Sequence, residues 1–288
     1  MKRILLILIL IVCTRSFSQD VAFTQSFMIP ESINPSFSGF YQTTKAGLLY
    51  KNQQWSGFNF NLNSQFIYFD DWFPDLNSGI GISLINHQET VTNYNLKQVN
   101  LSWAYDVQID YYWHFRPSIS VGFGFKDYGF DNLLFEDQID IYQNLISSNT
   151  FDPIALNENV RYFDFGASFL FNNDYSWIGL TLRHLNRPNV SMVSQGDAPL
   201  DIFVSLHASL ELPVLNYNDD NSIFLITNFM MQGKYDRFDL GFQYVFDRFS
   251  VGLTAATNPI QTSEKSHFVT SINPVIGMAW EGFKFGYS

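Results

Sequence analysis

Ile202-Phe203-Val204-Ser205-Leu206-His207-Ala208-Ser209-Leu210-Glu211-Leu212 reads as two interleaved lists. Ile202, Val204, Leu206, Ala208, Leu210 and Leu212 are all apolar, whereas Phe203, Ser205, His207, Ser209 and Glu211 are mostly polar. Successive side chains of an extended strand point to opposite faces, so this stretch predicts a strand with one apolar and one polar side. The pattern recurs along the chain. Phe163, Phe165, Ala167, Phe169 and Phe171 alternate with Asp164, Gly166, Ser168 and Asn172. Ile119, Val121, Phe123 and Phe125 alternate with Ser118, Ser120, Gly122 and Gly124, and Leu240, Phe242, Tyr244 and Phe246 with Asp239, Gly241 and Gln243.

Two architectures use such strands. A soluble sandwich turns the apolar faces into a core, and a membrane barrel turns them to lipid and lines its lumen with the rest. Three features favour the barrel. Many segments run about ten residues, the length a tilted strand needs to cross a bilayer, against the roughly 5–6 of ordinary strands. The polar faces are rich in Gly, Ser and Asn, which suit a crowded interior. Aromatic residues recur at strand ends (Trp55, Tyr68, Trp72, Trp103, Tyr105, Tyr111, Tyr112, Trp113, Trp177, Trp280), as interfacial girdles do. Composition agrees: 18% aromatic with 30 Phe, and only 15% charged, where soluble domains carry about 25%.

The chain opens as an export signal. Lys2 and Arg3 precede the apolar run Ile4–Val12, and Ser16-Phe17-Ser18 offers small residues for cleavage after Ser18. The rival, lipidation at Cys13, meets Val12 where a small residue is wanted. The run is too short for a spanning helix, which needs about 20 residues. Cys13 is the only cysteine, so no disulfide framework or Cys-based metal site is expected after cleavage. The net charge of −11 deepens when Lys2, Arg3 and Arg15 leave, which argues against a nucleic-acid partner.

Thirteen strand segments are expected, starting near Thr43, Phe58, Gly79, Asn95, Arg116, Val160, Tyr175, Asp201, Ser222, Arg237, Phe249, Ser271 and Phe283. The fold class is thus all-β, a transmembrane antiparallel β-barrel. Such barrels usually have even strand counts, so the complete design is expected to hold about 14 strands, with the last ones missing after Phe283–Ser288. Long connections are expected at Lys126–Asn159, Leu185–Leu200 and Asn258–Thr270, and tight turns at Asn173-Asp174 and Asp247-Arg248, the asymmetry of outer loops and periplasmic turns. The expected division is a signal peptide at 1–18, an N-terminal periplasmic or lumenal segment at 19–42, and the barrel at 43–288.

Enzymatic signals are poor. His87, His114, His184, His207 and His267 lack metal-ligand spacing and read as lumen or interface residues, and neither a GxSxG elbow nor a phosphate loop occurs. Glu136, Asp137 and Asp140 lack the Gly-bearing spacing of a calcium loop and read as a solvated face. Gly79-Ile80-Gly81 and Gly122-Phe123-Gly124 mark strand positions where neighbours crowd. No catalytic residue, cofactor or metal site is therefore expected.

Other stretches carry a resemblance. Gln19 to Gln25, then Asn34-Pro35-Ser36-Phe37-Ser38-Gly39, then Tyr50-Lys51-Asn52-Gln53-Gln54-Trp55 resemble the opening of the PorP/SprF family of type IX secretion system membrane proteins. That family shows a QDxxFSQ-like run, an NPAxAG-like turn and a YRxQW-like strand end. Gly79–Ser83, Phe163–Ala167, Ile178–Leu180 running to His184-Leu185-Asn186-Arg187-Pro188, and Phe283–Ser288 extend the likeness over the whole chain after the signal. Lys51 departs from the usual Arg, one extra residue precedes Trp55, and Ser36 and Ser38 replace Ala. Family members continue past the final Tyr-Ser with a last strand pair. The resemblance implies a cell outer membrane barrel in type IX secretion or gliding motility that anchors or helps export a surface adhesin. Its implied partners are the secreted adhesin's C-terminal region, periplasmic type IX components and outer-membrane lipid. Asn34, Pro35, Gly39, Gln53 and Trp55 are the candidate contact residues, or else they only shape the entry to the first strand. The alternatives are a passive porin-like channel for small solutes and a barrel-embedded lipid hydrolase.

Overall fold

The computed structural model describes residues 20–55, 60–129, 134–140, 145–147, 150, 159–193, 196–216, 219–260 and 269–288. The expected signal peptide, Cys13, Gln19 and His267 lie outside them. The strands are β1 (Lys45–Trp55), β2 (Phe60–Phe73), β3 (Ser78–Glu89), β4 (Asn95–Tyr105), β5 (Val107–Gln108), β6 (His114–Asp127), β7 (Ile139–Asp140), β8 (Leu145–Ile146), β9 (Asn159–Asn172), β10 (Ser176–Arg183), β11 (Phe203–Asn216), β12 (Asp219–Gln232), β13 (Tyr235–Phe246), β14 (Phe249–Thr257), β15 (Val269–Trp280) and β16 (Phe283–Tyr287). Each of the thirteen expected segments is present, with starts displaced by at most three residues.

All but β7 and β8 belong to one antiparallel sheet of 14 strands, in the order β1-β2-β3-β4-β6-β9-β10-β11-β12-β13-β14-β15-β16, with β5 added beside β6. The two-residue β5 is not one of the expected strands, nor is the small β7–β8 hairpin inside the long connection after β6. Both are too short for a periodicity to show. Among the described residues no ladder joins β1 to β16. Five strands run 14 residues. At ~3.4 Å per residue and a tilt near 45°, such a strand rises roughly 33 Å, enough for a hydrocarbon core of about 30 Å. Among the described residues no helix is long and apolar enough to cross a membrane.

The alternation resolves into an apolar outside and a polar inside. On β11, Leu206 is 48% exposed while Ser205 and His207 are 0% and 1%. On β9, Phe163 and Phe165 face out while Asp164 and Ser168 are buried. A soluble sandwich would show the reverse, so the apolar face meets lipid. The inside is filled by the chain's own residues 20–40. This segment reaches Lys51 of β1, Asp70 of β2, Ser102 of β4, Arg116 of β6, Ser168 of β9, His207 of β11 and Gln232 of β12. Met28 lies against Gly277 and Gly286 of β15 and β16. One segment can touch both ends of the strand path only if the sheet rolls around it.

The filling overturns part of the girdle expectation. Trp103, Tyr105, Tyr111, Tyr112 and Trp280 are exposed on the outside as expected. Tyr68, Trp72 and Trp177 instead point inward. Tyr68 is buried in a cluster with Phe23, Leu49 and Phe66. Trp72 lies under the Arg116 guanidinium, and Trp177 meets Phe37 edge-on at 5.1 Å. The inserted segment brings apolar side chains into the lumen, and these aromatics supply their partners. The side chain of Trp55 is outside the described residues.

The connections sort by end. Those after β6, β10 and β14 are long and leave from one end of the sheet, while tight turns close the other. At Asn173 the side chain accepts the N–H groups of Tyr175 and Ser176, and Asp247 takes a positive φ of 50°. Outer-membrane barrels keep short turns on the periplasmic side, so the long-connection end faces outward.

Candidate functional site

The lumenal segment is pinned at two levels. Near the short-turn end, Asn34 caps a single 3-10 turn, Pro35–Phe37, by accepting the Ser36 N–H at 2.8 Å. Proline follows because its fixed φ suits the first position and its missing N–H is not needed there. The Asn34 amide N–H groups are then free to donate to the Phe169 carbonyl at 3.1 Å and to His207 Nε2 at 3.0 Å. That bond sets the imidazole tautomer. Nε2 accepts, so Nδ1–H donates to Ser205 Oγ at 3.0 Å, and Ser205 donates to Asn228 at 2.8 Å. Four buried polar side chains are satisfied in one directional row, as buried polar groups must be.

Ser36 and Ser38 bond wall serines: Ser36 to Ser168 at 2.9 Å and Ser38 to Ser102 at 2.8 Å. Their carbonyls take the Arg116 guanidinium, Nε to Ser36 at 3.1 Å and Nη2 to Ser38 at 2.8 Å. The remaining arm of Arg116 pairs with Asp106 at 2.9 Å. The charge is 1% exposed and tolerable because it is both paired and hydrogen-bonded. The turn ends at Gly39, with φ of +66° and its N–H on Asp70 at 2.5 Å. Here backbones touch: a Cβ on Gly79 would sit 1.9 Å from the Ser38 carbonyl oxygen. Gly79 therefore crowds as expected, against the inserted segment and not a neighbouring strand.

At the outer level, Asp20 meets His184 Nε2 at 2.9 Å and Arg183 at 3.6 Å, and its N–H donates to Gln232 at 2.7 Å. His184 Nδ1 is 2.9 Å from Asp164, so one imidazole ties the segment to the wall. Arg183 also donates to the carbonyls of Ser32 and Ile33, at 2.6 and 3.1 Å. His184 is held at φ of +59°, uncommon outside glycine. The residues after it explain why. Leu185 N–H donates to the Phe165 carbonyl, and the Asn186 side chain bonds the carbonyl of Phe163 and the N–H of Phe165, at 2.9, 2.7 and 3.1 Å. They cap the part of β9 that outruns β10, whose ladder with β9 stops at Ala167. An uncapped edge would leave backbone groups unsatisfied at the barrel wall.

Burial opposes charge on Asp20, but the His184 and Arg183 cations more than offset it and hold the carboxyl at about 2. Burial likewise opposes the imidazolium, and the Asp20 and Asp164 carboxylates push it up to about 9. The raised His184 gives stability that is whole below its ordinary 6.5 and lost as pH rises through about 9. The lowered Asp20 gives stability present above its ordinary 3.8 and lost as pH falls through about 2. We therefore predict that amide-exchange protection of residues 20–22 is flat between pH 5 and 6 and drops by pH 10. In His184→Asn that drop should vanish, and an unchanged profile in the variant would refute the clasp.

The five candidate residues do not converge. Asn34, Pro35 and Gly39 lie together in the plug. Gln53 and Trp55 stand at the far end of β1, opposite Leu62 and Phe60. Arg116, Asp106, Arg183, His184, Asp164 and Asp20 are site residues that no local sequence pattern marks, save that Arg116 heads the Ser118, Ser120, Gly122, Gly124 face of β6. Among the described residues no group of three or more His, Cys, Asp and Glu side chains is placed to hold a metal ion.

A rolled antiparallel sheet with an apolar exterior, and a lumen filled by its own N-terminal segment, defines an outer-membrane β-barrel protein of plugged type. The chain belongs to the family described as type IX secretion system membrane protein PorP/SprF, which matches residues 15–288. It is thus an outer-membrane component of that secretion system. Among solved structures, it is similar to a KdgM porin (8% identity, TM-score 0.35, covering 75% of this chain and 89% of the porin). It is also similar to the beta domain of the Bordetella autotransporter BrkA (10% identity, TM-score 0.39, covering 80% of this chain and 93% of that one). Likeness at this level carries nothing about activity. The search of curated proteins finds no match.

Proposed function

We propose that the protein anchors, or assists the export of, a cell-surface adhesin, with residues 1–18 as export signal, 19–42 as lumenal plug and 43–288 as the barrel. The carrying observation is that every long connection leaves from one end of a sheet whose lumen is already occupied. Such a molecule offers a fixed outer platform and no open bore. The connection after β10 supports this: Val190 and Leu200 are buried against Val160 and Tyr162 at the mouth. The connection after β6 carries exposed Leu134, Ile139, Leu145 and Ile146, apolar groups suited to a protein contact. Secretion-machinery components on the periplasmic side are the second class of partner. Asn34, Pro35 and Gly39 serve in this reading as plug residues, while Gln53 and Trp55 stand at the outer rim.

Exchanging residues 126–159 for those of a paralogue is expected to abolish surface display of the cognate adhesin while leaving the barrel assembled. Unchanged display would sink the assignment. The porin reading is disfavoured by the occupied lumen. The hydrolase reading finds a Ser205–His207 pair, but Nε2 is taken by Asn34 and the serine proton by Asn228.

A further inference from the structure

A cavity of about 450 Å³ lies at the outer mouth, between the β1–β3 wall and the β12–β13 wall, above Asp20–Ala22 of the plug. Its basic groups are under-used. Lys51 Nζ donates once, to the Ala22 carbonyl at 2.8 Å, and among the described residues no carboxylate pairs with it. Arg237 engages Asp239 through Nε alone, at 2.9 and 3.1 Å, which leaves the terminal N–H groups of the guanidinium for another acceptor. His87 bonds Ser64 through Nδ1 at 2.8 Å. Lys51 lies within electrostatic reach of Arg237, His87 and the Asp239 carboxylate.

The acidic groups nearby do not absorb these donors. Asp20 is taken by His184 and Arg183. Glu89 is turned onto its own loop, at Val91 and Thr92. Asp239 bonds Arg237 directly and acts on Lys51 only at longer range. Asp236 accepts the Ile260 N–H at 2.8 Å through one oxygen, while its other oxygen is buried with no partner. Met230 adds an adaptable apolar lining.

We propose that this cavity binds an acidic peptide. Its carboxylate would sit on Lys51 with the free arms of Arg237, a peptide N–H would meet the unpartnered oxygen of Asp236, and an apolar side chain would lie on Met230. Charge-assisted bonds of this kind are the strong ones. The inference rests on the surface-anchor reading only for whose peptide it is. Binding to the purified protein tests it separately from surface display.

The test uses the detergent-purified full chain and a fluorescent hexaglutamate peptide followed by anisotropy, with hexaglutamine and free glutamate as comparison ligands. Hexaglutamate is expected to bind, with hexaglutamine and free glutamate each about tenfold weaker or worse, the scale of one lost charge-assisted bond. Lys51→Gln and Arg237→Gln should each weaken binding by about tenfold, and Lys51→Arg should restore it. Variants are compared only where they keep the folded barrel's shifted gel mobility before heating, and the two Gln substitutions act on different strands. Absent binding, equal binding of hexaglutamine, competition by free glutamate at the peptide's own concentration, or Gln variants that bind like the parent would each overturn the proposal.

Discussion

A chain lacking residues 20–40 is expected to conduct ions in planar bilayers, whereas the intact chain stays silent. The removed segment carries the hydrogen bonds that cross the lumen, from Asn34 to His207, Ser36 to Ser168, Ser38 to Ser102 and Gly39 to Asp70. What it leaves behind is a polar wall of Ser102, Ser118, Ser168, Ser205 and Asp164, on which water replaces the lost partners. The sheet ladders are unaffected, since every strand pair is bonded to its neighbour and none through the plug. The apolar loss is that of Val21, Phe23, Met28, Ile29, Ile33, Phe37 and Phe40, whose partners include Leu49, Phe66, Tyr68 and Trp177. If the intact chain already conducts as the truncated one does, the segment does not seal the barrel. Gly79→Val tests the same point without deletion. Its side chain must displace the Ser38 carbonyl, so residues 34–40 should become open to protease while the strands stay protected.

Arg116→Leu is expected to be the most damaging single substitution. The guanidinium serves Ser36, Ser38 and Asp106 at once, over the Trp72 and Phe40 rings at 5.4 and 5.7 Å. Removing one partner of a buried pair costs about 3–5 kcal/mol; here two carbonyls are orphaned besides, while Asp106 keeps only His114, at 2.9 Å. Urea unfolding from lipid vesicles should show this as a lower midpoint. Asp106→Asn in the same chain should recover part of the loss, because it removes the carboxylate oxygen that faced the guanidinium, while the amide oxygen can still accept from His114. Arg116→Lys should fall between, since an ammonium cannot reproduce the fork that reaches all three acceptors. A midpoint shift that, multiplied by the m-value, amounts to less than about 1 kcal/mol, the worth of an exposed pair, would mean that the arginine is not the lock.

The parts of the site that were legible in the sequence are those made by neighbours along the chain. Asn34-Pro35 reads as a capped turn and Gly39 as a turn glycine because capping, proline φ and positive φ are decided within a few residues. Gly79 and Gly122 announce crowding because a missing side chain on a strand has few other uses. His184 shows nothing of its role: its partners Asp20 and Asp164 lie 164 and 20 positions away and arrive by different routes. Tyr68, Trp72 and Trp177 fit an interfacial pattern in sequence for the same reason. An aromatic at a strand end satisfies the girdle pattern equally well on either face until the neighbour inside is known.

Taken alone, the alternation of Ile202–Leu212 and its counterparts determined that the chain is all strand, where the strands begin, and that one face of each is apolar. Side-chain direction in a strand depends only on position along it, so those properties survive without any knowledge of neighbours. Only the tertiary structure decided that the polar face encloses residues 20–40, and that two separated polar locks hold them. Those contacts depend on how far the sheet rolls and on the register of every ladder in it, quantities that no local stretch of residues contains.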